Sequence, residues 1–268
     1  LSRFGMIHIN PHFPDIQPFL EKPATEYSAS KLAYDICSHI TSIKNLSWIA
    51  ALGIIGDNVN EQWETFLSEV CESFSSLKAT TNEDKMILRK IADIIESGPE
   101  CAFPEGSKVS LQALLNAEQP EDILEGGSLQ ARRLLKLYAE VMIEMERIRE
   151  AWNANVGVEF HENLQLKFFE ITPGMDIHSK IATELSNQNP NLTVVVVSKS
   201  NAVTHISFRR QDGSLNCGTL AWESTSTLIS ARGGGHRKVS GATIQTNDIK
   251  AFKQEVVRWI ENHYSNSS

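Results

Sequence analysis

The stretch ARGGGHRKVSGATI, residues 231–244, sets three consecutive glycines against a histidine and two cations, followed by a run of small residues. Glycine reaches positive φ without penalty and has no Cβ to keep a ligand at a distance. Successive backbone N–H groups in such a run can converge on an anion. His236, Arg237 and Lys238 would add side-chain donors, and charge-assisted bonds suit phosphate. Ser240, Gly241 and Ala242 keep the next segment small enough for close approach. The competing reading is a mobile glycine turn whose cations are merely solvated. These residues alone leave both open.

Working outward, residues 155–268 mix two periods. NLQLKFFEIT alternates, NLTVVVVSK reads as a buried strand, and VTHISFRRQDG reads as a strand running into a turn. GATIQ is a further strand, while MDIHSKIATELSNQ and DIKAFKQEVVRWIENHY have helical spacing. Strands interleaved with helices predict an α/β domain around a mixed sheet. On the strand HISFRR, His205, Ser207 and Arg209 share one face while Phe208 and Arg210 share the other. Arg209 therefore either faces a site or lies on an edge strand in solvent.

Upstream the pattern is helical. In residues 59–154, Trp63, Phe66, Leu67, Val70, Phe74 and Leu77 form a stripe. A helix from about Asn82 to Ser97 is expected to stop at Gly98-Pro99. PEGSKVSLQALLNAEQPEDILEGG reads as loops and short helices. The longest helix follows, from Ser128 to about Trp152, with Leu134, Leu135, Tyr138, Val141, Met145 and Ile148 on one face. Met142 and Met145 read as core fillers, and Glu140, Glu144 and Glu146 as surface carboxylates. In residues 1–58, a helical segment carries Tyr27, Leu32, Ile36 and Ile40, and the apolar run LSWIAALGIIGD is a strand or a helix ending at Asp57. Asp57 is either a metal ligand or a helix cap. His8 and His12 flank a proline turn, so their spacing does not make a ligand pair.

Composition narrows the classes. Hydrophobic residues are 41% and charged residues 22% of 268, and the net charge of −8 argues against a nonspecific nucleic-acid coat without excluding a local basic cleft. No apolar run reaches the ~20 residues of a membrane span, and no secretory signal is visible, so a cytoplasmic location without a membrane partner is expected. Cys37, Cys71, Cys101 and Cys217 are widely spaced and read as free buried thiols in a reducing compartment.

Taken together, GGGHRKVSGATI resembles the GGGH-x-x-A-x-G signature of the DHH-associated domain in the DHH phosphoesterase superfamily. ISFRR is similar to a strand-plus-arginine segment that precedes it there, and the helix in GMDIHSKIATEL has a counterpart. HINPH and WIAALGIIGD resemble segments that follow the Asp-His-His motif, closest to RecJ-like nucleases of archaeal type. Val239 stands where alanine is usual, and no DHH sequence occurs.

The resemblance implies three parts: a C-terminal remnant of an α/β DHH catalytic domain over 1–58, a helical connector over 59–154, and an α/β DHH-associated domain with a mixed sheet over 155–268. It implies that Arg209, Gly233, Gly234, Gly235, His236 and Arg237 bind substrate phosphate and that Asp57 is a metal ligand. One aspartate cannot hold a two-metal cluster, so Mn²⁺ or Mg²⁺ is expected only in a full-length protein. The implied activity is a RecJ-like metal-dependent phosphodiesterase or exonuclease on single-stranded DNA or RNA. Alternatives are a catalytically inactive scaffold of the same lineage, with a replication or repair protein as partner, and a dinucleotide phosphodiesterase.

Overall fold

A computed structural model describes residues 22–23, 27–57, 59–77 and 83–264. FGMIHINPH, with His8 and His12, and the SNSS tail lie outside the described residues. The chain divides into two compact units, residues 1–139 and 140–268. The described part of the first is helical; the second is α/β around a mixed sheet.

In the first unit, α1 (Ala29–Ser38) starts at Ser28, whose Oγ accepts the Lys31 N–H at 3.2 Å. Tyr27 and Leu32 are buried, but Ile40 lies in the turn past the helix end and is 79% exposed, so it leaves the expected stripe. The run SWIAALGIIG forms α2 (Ser47–Gly56). Trp48, Ala50, Ala51, Leu52, Ile54 and Ile55 are all buried, so α2 is a central helix without a polar face. That is why periodicity could not tell it from a strand. The helices α3 (Glu64–Ser73), α4 (Glu83–Ala102), α5 (Glu105–Leu115), α6 (Pro120–Leu124) and the start of α7 (Leu129–Asn153) follow. Residues on both sides of position 58 share one core, with Trp48 and Ile54 joined by Leu67, Leu88, Ile91, Ile123 and Leu134.

Gly98-Pro99 does not stop α4, which continues to Ala102 with Pro99 inside it. Proline removes one helical N–H and so frees the carbonyl four residues earlier. That carbonyl, on Ile95, accepts the Ser110 hydroxyl of α5 at 2.6 Å. The glycine serves packing instead. A Cβ on Gly98 would stand 2.5 Å from the Gly106 carbonyl oxygen, and one on Gly106 only 1.8 Å from that of Gly98. Ser110→Ala strands the Ile95 carbonyl, and we expect it to cost about 1–3 kcal/mol in denaturant unfolding. An unchanged midpoint would show that the serine does not compensate for the proline.

α7 opens at Ser128, whose Oγ accepts the Ala131 N–H at 3.0 Å. Leu134, Val141, Met145 and Ile148 are buried along it as expected, but Met142 sits off the stripe and is 39% exposed. Cys37 is exposed rather than buried, Cys101 is half-buried, and none of the four cysteines forms a disulfide.

The second unit carries β1 (Val158–His161), β2 (Leu166–Ile171), α8 (His178–Gln188), β3 (Thr193–Ser198), β4 (Val203–Arg209), α9 (Cys217–Thr225), β5 (Arg232–Gly235), β6 (Val239–Gln245) and α10 (Ile249–Tyr264). The sheet order is β1-β2-β3-β4-β6-β5, with β2 and β3 parallel and every other pair antiparallel. The parallel pair requires a crossover, which α8 supplies. β3 is TVVVVS, buried on both faces.

Side-chain alternation then decides what each face does. On one face Phe168, Val195, Val197, Ile206, Phe208, Ala242 and Ile244 join Leu220, Phe252, Val256 and Ile260 of α9 and α10 in a closed core. On the other, α8 packs on β3 and β4. The end of α7 reaches β2 on this side, where Trp152 meets Phe169 edge-on at 5.3 Å. Where β4 gives way to β6 and β5, this face carries small and polar groups.

Candidate functional site

That face forms the floor of a cleft of about 530 Å³. Cross-strand register places its lining in rows. His205 of β4 is opposite Thr243 of β6, which is opposite Arg232 of β5. The next row is Ser207, Gly241 and Gly234, and the third begins with Arg209 and Val239. Two of the three residues in the middle row lack a side chain, so the sheet backbone itself is the floor. His178 and Ser179, from the first turn of α8, form the wall.

The glycine run is therefore neither a loose turn nor a looped cradle; it is an edge strand. Its glycines have different tasks. A Cβ on Gly233 would stand 2.0 Å from the Ala221 carbonyl oxygen, so this glycine lets β5 lie directly on α9. Gly218 does the same from the helix side, where a Cβ would meet the Gly235 carbonyl oxygen at 2.4 Å. Gly234 points the other way, with no atom within 4 Å of a Cβ placed there. Gly235 alone in the run has a glycine-favouring φ, 143°, where the chain enters the hairpin.

Arg209 is 4% exposed, yet it lines the cleft. Its Nε donates to Thr183 Oγ1 at 3.0 Å, one terminal nitrogen to the carbonyls of Phe208 and Ser240 at 2.9 and 3.2 Å, and the other to Ser179 Oγ at 2.8 Å and the Ser179 carbonyl at 3.4 Å. Every acceptor is neutral. Burial accordingly draws the guanidinium pKa down to about 10. Arg210, on the opposite face, is a structural contrast: its Nε donates to Asp212 Oδ1 at 2.8 Å and Ser214 Oγ at 3.0 Å, tying down the following turn.

His178 Nδ1 lies 2.8 Å from Ser207 Oγ, and its Nε2 lies 3.2 Å from Asp176 Oδ1. Burial lowers its pKa, His205 and Arg209 lower it further, and Asp176 opposes them. A neutral ring with its proton on Nε2 fits this setting, accepting from Ser207 and facing Asp176 with its N–H. His205 stacks on it, ring centroids 5.5 Å apart and planes 11° from parallel. Cys217 is wholly buried, and burial pushes its thiol up to about 12.

Of the residues singled out in the sequence, Arg209, Gly233, Gly234 and Gly235 line this cleft together. His236 and Arg237 do not line it. His236 is exposed in the β5–β6 connection, its N–H bonded to the Val239 carbonyl at 2.8 Å, and Arg237 Nε donates to the Gly213 carbonyl at 2.7 Å. Asp57 lies in the first unit as the exposed residue closing α2, its N–H bonded to the Gly53 carbonyl; it caps a helix that ends rather than one that begins. Among the described residues no group of three or more His, Cys, Asp and Glu is placed to hold a metal ion, so they do not build the Mn²⁺ or Mg²⁺ site that the resemblance implies.

Sequence reasoning missed Arg232, His178 and Ser179. Arg232 was within reach: read as a strand, residues 232–235 put Arg232 and Gly234 on one face. Nothing in the sequence ties His178 to Ser207, 29 residues later; only the crossover does.

Residues 163–262, which carry the crossover helix, the arginine-ended strand and the glycine edge strand, match the DHHA1 domain family. The chain shares its fold with parts of solved RecJ structures. It is similar to RecJ of Thermus thermophilus in complex with Mg²⁺ (TM-score 0.63, 14% identity, 93% of this chain and 40% of that one). The same protein in complex with Mn²⁺ gives a TM-score of 0.60 at 14% identity over 83% of this chain and 33% of that one. Exonuclease RecJ bound to manganese gives 0.56 at 13% identity, over 82% and 56%. The chain thus spans between about a third and just over half of these structures. No curated protein sequence matches it. No helix among the described residues is long and apolar enough to cross a membrane.

Proposed function

We propose that the DHHA1 cleft holds the sugar–phosphate backbone of single-stranded DNA or RNA, as the substrate-binding part of a RecJ-like metal-dependent phosphodiesterase. The observation that carries this reading is Arg209. A buried cation whose partners are all neutral leaves its charge uncancelled in a low-dielectric wall, and a phosphate brought to the cleft cancels it. Arg232, exposed on the edge strand, supplies a second cation with no ion pair among the described residues. Gly234 and Gly241 let the backbone approach without side chains intervening. His236 and Lys238, exposed in the connection after Gly235, offer further side-chain donors in the same reading.

The chain's own residues bind and orient the strand here. Divalent metal, when bound in a full-length relative, would activate water; none of the described residues is assigned that task. The test is retention of an end-labelled single strand by the chain, with and without Mn²⁺, against salt. Arg232→Ala is expected to weaken binding several-fold and to reduce the slope of log K against log salt by about 0.7, one phosphate contact on a single strand. Retention without cleavage assigns the chain a holding or scaffold role. Binding confined to dinucleotides assigns it to the small-molecule alternative. An unchanged salt slope removes Arg232 from the interface.

A further inference from the structure

We infer that His205 is a stacking platform for a nucleobase of the bound strand, a role that rests on the strand-binding reading above and adds base contact to it. His205 is exposed on the cleft floor, and one face of its imidazole lies against His178. The backing ring is held at both nitrogens, by Ser207 Oγ at 2.8 Å and by Asp176 Oδ1 at 3.2 Å. A ring backed by a fixed ring is already oriented before a ligand arrives, so little ordering cost remains when a base adds to the stack.

Register places this platform relative to the cations. His205, Thr243 and Arg232 form one row across three adjacent strands. At about 4.8 Å per strand, the outer two backbones stand about 10 Å apart. A strand whose phosphate meets Arg232 over bare Gly234 can thus set a base of the same or an adjacent nucleotide on His205. Between them the floor is Thr243, Gly241 and Ser207, which offer two hydroxyls and no bulk. An aromatic ring beside a cationic groove is the recurring arrangement by which proteins hold single strands without reading sequence, because every base has a π face. The platform is accordingly expected to tolerate any base.

The chain, its His205→Ala variant and its His205→Phe variant would be titrated with two single strands of equal length, one with bases and one fully abasic. His205→Ala is expected to weaken binding of the base-bearing strand roughly 5- to 150-fold. It should leave the abasic strand unchanged, and His205→Phe should restore the loss. Equal loss on both strands, not restored by phenylalanine, would make His205 a phosphate ligand and overturn the platform. No loss on either strand would overturn it while leaving the phosphate reading intact, provided that the unaltered chain holds the abasic strand. Failure of the unaltered chain to bind either strand would overturn both.

Discussion

Gly233→Val is expected to unfold the C-terminal unit, while Gly234→Val, one residue later, is expected to leave it folded and empty the cleft. The two positions point to opposite faces of β5. At Gly233 even a Cβ would stand 2.0 Å from the carbonyl oxygen and 2.6 Å from the carbonyl carbon of Ala221. Both atoms belong to helix backbone, which cannot rotate aside as a side chain can. Overpacking where neighbours do yield costs about 1–3 kcal/mol, and a backbone collision exceeds that. A loss of about 4 kcal/mol or more is a large part of a domain's whole stability of roughly 5–15 kcal/mol.

At Gly234 no atom lies within 4 Å of a Cβ. Valine suits a strand better than glycine does, so thermal stability should be kept or slightly raised. The side chain would instead occupy the floor between Arg232 and Ser207, where the phosphate is proposed to lie. Circular dichroism melting and strand binding, measured on both variants, separate the outcomes. A folded Gly233→Val would show that α9 can withdraw from β5. Full binding by Gly234→Val would move the strand away from the glycine floor.

Arg209→Met is the second large effect expected, and it falls on binding rather than folding. The substitution leaves the carbonyls of Phe208 and Ser240 and the hydroxyls of Thr183 and Ser179 without their donor. It also removes a charge that is costly to bury without an ionic partner, and the two effects oppose one another. A change in stability below about 2 kcal/mol is the expected balance. Binding has no such offset. At an effective dielectric of about 20, a unit charge about 6 Å from a phosphate contributes about 3 kcal/mol, roughly a hundredfold in affinity. Arg209→Lys should recover part of this, since it restores charge but not the planar fork that grips α8. Unchanged affinity in Arg209→Met would reduce the arginine to a brace between β4 and α8.

Much of this architecture was legible because it follows from local periodicity. TVVVVS had to be buried on both faces, and Leu134, Val141, Met145 and Ile148 had to share one side of a helix. Alternation on HISFRR correctly grouped His205, Ser207 and Arg209. The failures have separate causes. Gly98-Pro99 reads as a helix stop, because the partner that satisfies the freed carbonyl, Ser110, comes from a different helix. Strand β5 reads as a phosphate cradle or a turn rather than a strand, because glycine has almost no strand propensity of its own. Helix α9, CGTLAWEST, was not recognised at all; nine residues with Trp222 exposed among small ones give little amphipathic signal.

By itself, then, the sequence determined the mixed α/β character of the C-terminal unit, its alternating strands, and a cluster of glycine and cation worth tracing. Those are properties of neighbours in the chain, encoded at periods of two and about 3.6 residues. Only the tertiary structure decided which cations face the cleft. It turned Arg210 toward Asp212 and buried Arg209 among neutral acceptors. It drew Arg237 away to Gly213 and set Arg232 in the cleft instead. It also gave the three glycines unlike settings, one against a helix, one open to the cleft and one where the chain turns. The physical reason is that a side chain's charge and space are set by what packs across from it. In this domain those partners come from a crossover helix and an antiparallel register that no local pattern specifies.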